Sequence, residues 1–258
     1  MSAIWMYHSI DHYTFDPYSI TVDPDTFEAQ IRWLYKRGKR GVSTRELLAA
    51  GRTDDMVALT FDDGYADFLD HALPVLRRYG FTASLYIVPG LLGDHNAWDQ
   101  PGPRKRLMTA DELRTVSDEG MEIGSHGLTH TALTTLPDEA LKHELTHSRD
   151  ILRDVTGQPA DGICYPYGFA DARVLEAVRA AGYRYGCVTV DSHPQEAPYA
   201  YRRACIGNYG PFRLRAAPAE TRLRVLLRRL RPVRAVGHIA AVPPLLEGLA
   251  HLGDHVPL

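Results

Sequence analysis

Short apolar runs alternate with amphipathic segments along most of this chain, and that alternation constrains the fold more than any other feature. The runs cover residues 3–7, 56–61, 82–88, 121–124, 162–165 and 185–190. Runs this brief and this apolar suit strands buried on both faces, as in a parallel sheet. Between them apolar residues recur at helical spacing. Asp23-Pro24 opens a helix through Phe27, Ile31 and Leu34 that Gly38 stops. Phe68, Leu69, Leu73 and Leu76 mark a second helix, closed by Gly80, and residues 110–119, 137–156 and 170–181 carry three more. The pattern predicts a parallel α/β architecture, and 258 residues suit one barrel-sized domain.

Composition narrows the class without naming a function. Hydrophobic residues at 45% and charged residues at 24% indicate a packed core rather than disorder, and a net charge of −3 offers no general attraction for nucleic acid. Cys164, Cys187 and Cys205 cannot all pair and match no zinc-knuckle spacing, so a disulfide framework is not expected. The N-terminus lacks the basic flank and apolar run of a signal peptide, and no stretch suits a membrane span, which reads as a cytoplasmic protein. From about residue 212 the chain changes character. Residues 222–231 spell a basic amphipathic helix broken by Pro232. It reads as an extension of a single domain covering residues 1–258, either packed with a solvated basic face or touching an anionic substrate or membrane surface.

Residues able to do chemistry fall just after four of the predicted strands: His8, the pair Asp62-Asp63, the pair His126 and His130, and the segment Tyr165-Pro166-Tyr167-Gly168. Parallel α/β barrels build sites at the C-terminal ends of strands, so these segments should converge. Adjacent carboxylates repel, and a divalent cation held by one of them resolves the repulsion. The other can then act as base on a water beside the ion. Two imidazoles at i and i+4, on a loop opening into a helical turn, would project together, and two histidines with one carboxylate leave room for water and substrate. Zinc fits such a set best, with cobalt or nickel also suited.

His143-Glu144-x-x-His147 competes for the same reading because it spells the zinc-protease motif on a helix. Asp150 and Arg153 stand where a metzincin needs glycine and histidine, and Glu176 lacks the companions of a thermolysin-type ligand. The apolar stripe Leu141, Leu145, Leu152 and Val155 also turns both histidines off the buried face.

Thr60-Phe61-Asp62-Asp63-Gly64, Ser125-His126-x-x-x-His130 and Tyr165-Pro166-Tyr167-Gly168 together resemble the first three motifs of the polysaccharide deacetylase family (carbohydrate esterase family 4), in the family's order. The resemblance covers roughly residues 1–206. It implies a distorted (β/α)7-type barrel that removes acetyl from an N-acetylated sugar. Asp62 would be the base, Asp63, His126 and His130 the metal ligands, and the Tyr167 backbone N–H an oxyanion donor.

Two departures follow. Cys164 stands where the third motif normally has an arginine that orients the base, and Arg202 or Arg203 is the candidate substitute. The proton-donating histidine normally lies near the C-terminus after an apolar strand. Here His8, ending the first strand, is favoured over His238, as in the circularly permuted poly-N-acetylglucosamine deacetylases. Trp98, flanked by Asn96 and Asp99 in the long loop 89–106, offers an indole for stacking on a sugar or for packing that loop down. The expected substrate is an N-acetylated glycoside, glycolipid or oligosaccharide. The alternatives are hydrolysis of a non-sugar amide or O-acetyl ester, or a silent carbohydrate-binding barrel.

Overall fold

The computed structural model describes residues 4–189 and 198–208. Seven parallel strands close on themselves: β1 (Ile4–Tyr7), β5 (Met56–Phe61), β6 (Ser84–Ile87), β7 (Glu122–Ser125), β8 (Gly162–Cys164), β9 (Tyr185–Thr189) and β10 (Tyr201–Cys205). Closure falls to β1, the first described strand, which pairs with β5 on one side and with β10, the last described strand, on the other. The predicted (β/α)7-type barrel is therefore the observed fold.

Helices α1 (Pro24–Tyr35), α4 (Ala110–Asp118), α5 (Asp138–Thr156) and α6 (Ala172–Ala180) occupy the predicted positions, while the helix expected through Phe68 to Leu76 begins as a π-helical turn (Phe68–Ala72) and continues as α3 (Leu73–Tyr79). Their ends obey the expected chemistry. The Asp23 carboxylate caps α1 by accepting from the N–H groups of Asp25 and Thr26, and Gly80 ends α3 in the left-handed conformation.

Several short elements were not predicted, because runs of two or three residues carry too little periodicity to register. β2 (Ser9–Ile10) and β3 (Thr21–Val22) pair with each other. β4 (Arg40–Val42) pairs with the first half of β5, while the Gly41 carbonyl accepts from the N–H of Thr82 just ahead of β6. α2 (Thr44–Ala49) follows, closed by a Ser43–Glu46 capping box. Its first amides are bonded from inside the barrel: Thr44 N–H donates to Ser84 Oγ at 2.7 Å and Arg45 N–H to the buried Glu122 carboxylate at 2.9 Å. This closes the end of the barrel opposite the strand C-termini and sets a carboxylate at a helix N-terminus, where the helix dipole favours it.

Aromatic packing fixes the two strands that deliver the first chemical groups. Tyr7 and Phe61 lie opposite each other in the β1–β5 register and stack at 5.3 Å, with Phe27 and Phe68 set edge-on against Phe61. His8 and Asp62 are the residues that follow Tyr7 and Phe61, so the cluster anchors the backbone directly behind the site.

Glycines on adjacent strands make room for the large rings inside. A Cβ at Gly124 would lie 2.7 Å from the Tyr86 ring, and one at Gly162 would lie 2.3 Å from the Tyr185 ring. Gly162→Ala should therefore lower the melting temperature by several degrees, from an overpacking cost of roughly 1–3 kcal/mol. Gly51→Ala, where an added Cβ meets nothing within 4 Å, should leave it nearly unchanged; scanning calorimetry of the two variants checks this.

Candidate active site

The described site residues gather at the C-terminal end of the barrel. Asp62 and Asp63 leave β5 and are both buried. Asp62 N–H donates to the Tyr7 carbonyl, which ties the end of β5 to β1, and Gly64 N–H turns back onto the Asp62 carbonyl at 2.9 Å. Three non-glycine residues here adopt the left-handed conformation: Asp63 at φ 73°, His130 at φ 62° and Tyr167 at φ 60°. Such backbone costs on the order of 1–3 kcal/mol per residue, and its concentration at one mouth of the barrel marks a functional site.

His126 follows β7 and is fixed twice, by its N–H to the Ile87 carbonyl at 2.7 Å and by its ring Nδ1 at 2.8 Å from the Cys164 carbonyl. Oxygen Oδ1 of Asp63 lies 3.3 Å from Nε2 of His126 and 3.3 Å from Nε2 of His130. That oxygen is buried and makes no hydrogen bond. One carboxylate oxygen and two imidazole nitrogens thus converge without satisfying one another, the donor set and geometry a divalent cation would complete. The expected helical turn between the two histidines is not there. Residues 127–130 form an irregular loop, and left-handed backbone at Gly127 and His130 brings the rings together instead.

Asp62 is held by a different partner. Arg203, wholly buried on β10, donates from both terminal nitrogens to the two Asp62 oxygens at 2.7 Å each, and also to Thr60 Oγ1 at 2.9 Å. Burial pushes the Asp62 carboxyl up, but the charge and paired hydrogen bonds of Arg203 outweigh it and keep the group below the usual carboxylate range. The same guanidinium approaches Cys164 Sγ at 2.7 Å, and burial keeps that thiol protonated. Asp62, His126 and Cys164 also lie within ligating distance of one another. The Arg203 charge already fills that corner and opposes a cation there. His8, partly exposed at the end of β1, places Nε2 3.9 Å from Asp62 Oδ2.

Trp98 stacks one face flat on His130, with ring centroids 4.2 Å apart at 12°. Asn96 is spent within its own loop, donating to Asp99 and the Pro103 carbonyl and accepting from Lys105 N–H; it is a loop staple rather than a hydroxyl binder. Tyr167 sets its edge against His130 and is half exposed, with Phe169 beside it. His143 and His147 face solvent, stacked on each other. His238 and the basic helix at 222–231 lie outside the described residues.

Sequence reasoning missed Glu144. Its buried carboxylate accepts from the backbone N–H groups of Leu128 and Thr129 at 2.6 and 3.1 Å and from Thr129 Oγ1 at 2.6 Å. It therefore pins the loop between the two imidazoles. The signal was available: Glu144 shares helical phase with Leu141, Leu145, Ser148 and Leu152, and a charge on a buried stripe needs partners.

Residues 49–186 match the family model described as polysaccharide deacetylase. The chain belongs to the polysaccharide deacetylase family. That match contains Asp62, Asp63, Trp98, His126, His130 and Tyr167, and it leaves out His8 and Arg203. Among relatives, a Bacillus subtilis protein named as a polysaccharide deacetylase, YxkH, is 28% identical over 191 residues, covering 72% of this chain and 63% of its own. The poly-beta-1,6-N-acetyl-D-glucosamine N-deacetylase of Staphylococcus aureus is 24% identical over 179 residues, covering 64% of this chain and 60% of its own. The chain thus spans less than two thirds of these curated relatives. In fold it resembles a polysaccharide deacetylase from Bacillus cereus (TM-score 0.70, 23% identity, 83% of this chain and 67% of the other). IcaB from Ammonifex degensii is similarly close (TM-score 0.69, 17% identity, 84% and 97%). No described helix is long and apolar enough to cross a membrane.

Removing Arg203 strands a buried carboxylate. Arg203→Ala should cost metal-free protein roughly 3–5 kcal/mol, read from the urea midpoint, with Arg203→Lys intermediate because it cannot bridge both oxygens. Glu144→Ala should cost about 1–3 kcal/mol by removing the charged acceptor that holds two loop amides and the Thr129 hydroxyl.

Proposed function

We propose that this chain is a divalent-metal-dependent N-deacetylase, cleaving the acetamide of an N-acetylated amino sugar in an oligosaccharide or glycoconjugate to free amine and acetate. The observation that carries the reading is the convergence of Asp63, His126 and His130 beside a second buried carboxylate that Arg203 keeps ionised. The relative from Staphylococcus aureus, named for acting on poly-beta-1,6-N-acetyl-D-glucosamine, supports the choice of substrate class.

Asp63, His126 and His130 would hold the ion, with zinc the best fit to one oxygen and two nitrogen donors and cobalt or nickel also suited. Bound there, the ion supplies Lewis acidity, polarising the acetamide carbonyl and acidifying a water. The remaining work belongs to the chain. Asp62 takes the proton from the attacking water as the new C–O bond forms. Arg203 uses one lone pair on each Asp62 oxygen and the Cys164 thiol takes a second on Oδ2 at 3.5 Å, so Oδ1 keeps one for that proton. The backbone N–H of Tyr167, a residue in the left-handed conformation, donates to the oxyanion. His8, close to Asp62 and open to solvent, donates a proton to the departing amine as the C–N bond breaks. The half-exposed rings of Tyr167 and Phe169 give the sugar an apolar ledge at the rim.

Acetate release from N-acetylglucosamine oligomers should stop with chelator and return with zinc or cobalt. Asp63→Ala should lose the ion, whereas Asp62→Asn should keep it while turnover falls about 10²–10⁴-fold. His8→Ala should lower turnover by a similar factor with metal content unchanged. Undiminished turnover in fully chelated protein would sink the reading, and faster cleavage of acetyl esters than of acetamides would move it to O-deacetylation.

A further inference from the structure

An imidazole that ligates a metal is ordinarily aimed by a hydrogen bond from its other ring nitrogen. His126 follows that rule through Nδ1 and the Cys164 carbonyl. His130 does not. Its Nδ1 is buried without a hydrogen-bond partner, and its backbone is in the left-handed conformation. The ring is nonetheless confined by aromatic faces and edges. Trp98 covers one face at 4.2 Å and 12°, Tyr167 meets it edge-on at 4.7 Å and 77°, and His126 does so at 5.0 Å and 71°.

The placement of Trp98 is itself over-determined. Two positions before it, Asn96 is buried and bonded to Asp99, to the Pro103 carbonyl and to Lys105 N–H. One position after it, the Asp99 carboxylate accepts from Tyr65 Oη at 2.8 Å, and Tyr65 follows Gly64 on the loop that carries Asp63. The indole is therefore tied to the same segment that delivers the carboxylate facing His130.

We propose that Trp98 is a positioning residue for His130, its indole face holding the imidazole so that Nε2 meets Asp63 Oδ1. This rests on the reading that Asp63, His126 and His130 hold a divalent ion. The stack does for His130 what the Cys164 carbonyl does for His126. An indole also favours the loaded state: a ligated imidazole carries part of the ion's positive charge, and the electron-rich face of tryptophan attracts positive charge more strongly than phenylalanine does. The inner face of Trp98 is consequently committed to the metal site, whatever a substrate does at the rim.

The test is metal affinity measured directly. Cobalt(II) binding to the full chain would be followed by chelator competition and by its visible absorption, for wild type, Trp98→Phe, Trp98→Leu and Trp98→Gln. The two non-aromatic variants should bind cobalt at least tenfold more weakly, with altered absorption bands, as typically follows loss of a group that orients a ligand. Trp98→Phe should stay within a few-fold of wild type. Trp98 sits on a half-buried loop outside the barrel interior, so the metal-free melting temperatures of all variants should match within a few degrees. Wild-type affinity and spectrum in both Trp98→Leu and Trp98→Gln would overturn the proposal, as would equal losses in Trp98→Phe and Trp98→Leu. If those variants bind cobalt normally but require more substrate for half-maximal rate, Trp98 serves the sugar alone. If wild type itself takes up no cobalt, the metal reading falls and this proposal falls with it.

Discussion

Two neighbouring carboxylates, both buried at the end of β5, set the terms for everything around them. Asp62 and Asp63 cannot both be ionised out of water unless each finds its own positive partner. The chain separates them by backbone geometry. The left-handed turn at Asp63 and Gly64 sends the second carboxylate toward the imidazoles of the β7 loop, while the first stays inside, facing Arg203. One acid is thereby fixed as an ionised group of the protein, and the other is left with an unsatisfied oxygen suited to a cation.

That division explains why strands far apart in sequence have to meet. The guanidinium comes from β10, the imidazole support from β8, and the loop tether from Glu144 on α5. The glycines at 124 and 162 admit the Tyr86 and Tyr185 rings to the interior, and Tyr86 lies beneath the Arg203 guanidinium at 5.5 Å. The polar filling of the barrel is continuous with its chemical end, so packing and site geometry are a single problem here.

Much of this was legible in the sequence because the strongest signals are local. Apolar runs located six of the seven barrel strands, and the chemical residues directly after them marked the functional end. What escaped depends on three-dimensional neighbours. β10 carries Tyr201, Arg202 and Arg203, which do not read as a strand until the barrel around them buries Arg203. The His126 and His130 pair looked helical by spacing, yet left-handed backbone performs the task. Trp98 gave no hint of its partner, since stacking on an imidazole from another loop leaves no periodic trace. Glu144 was hidden inside a motif that invited a metal reading of its neighbours. There the helical phase already distinguished the inward glutamate from the outward histidines.

Closure by β1 and β10 has a consequence for the order of events during synthesis. The ring joins the first described strand to the last described one, so a segment that stops short of β10 leaves the described barrel open. Until residue 203 has emerged, Asp62 lacks its paired guanidinium and its burial is unfavourable. Completion of the described barrel and completion of the Asp62 environment are thus one event, with β10 acting as a latch: a chain that lacks it has no paired cation with which to bury that acid.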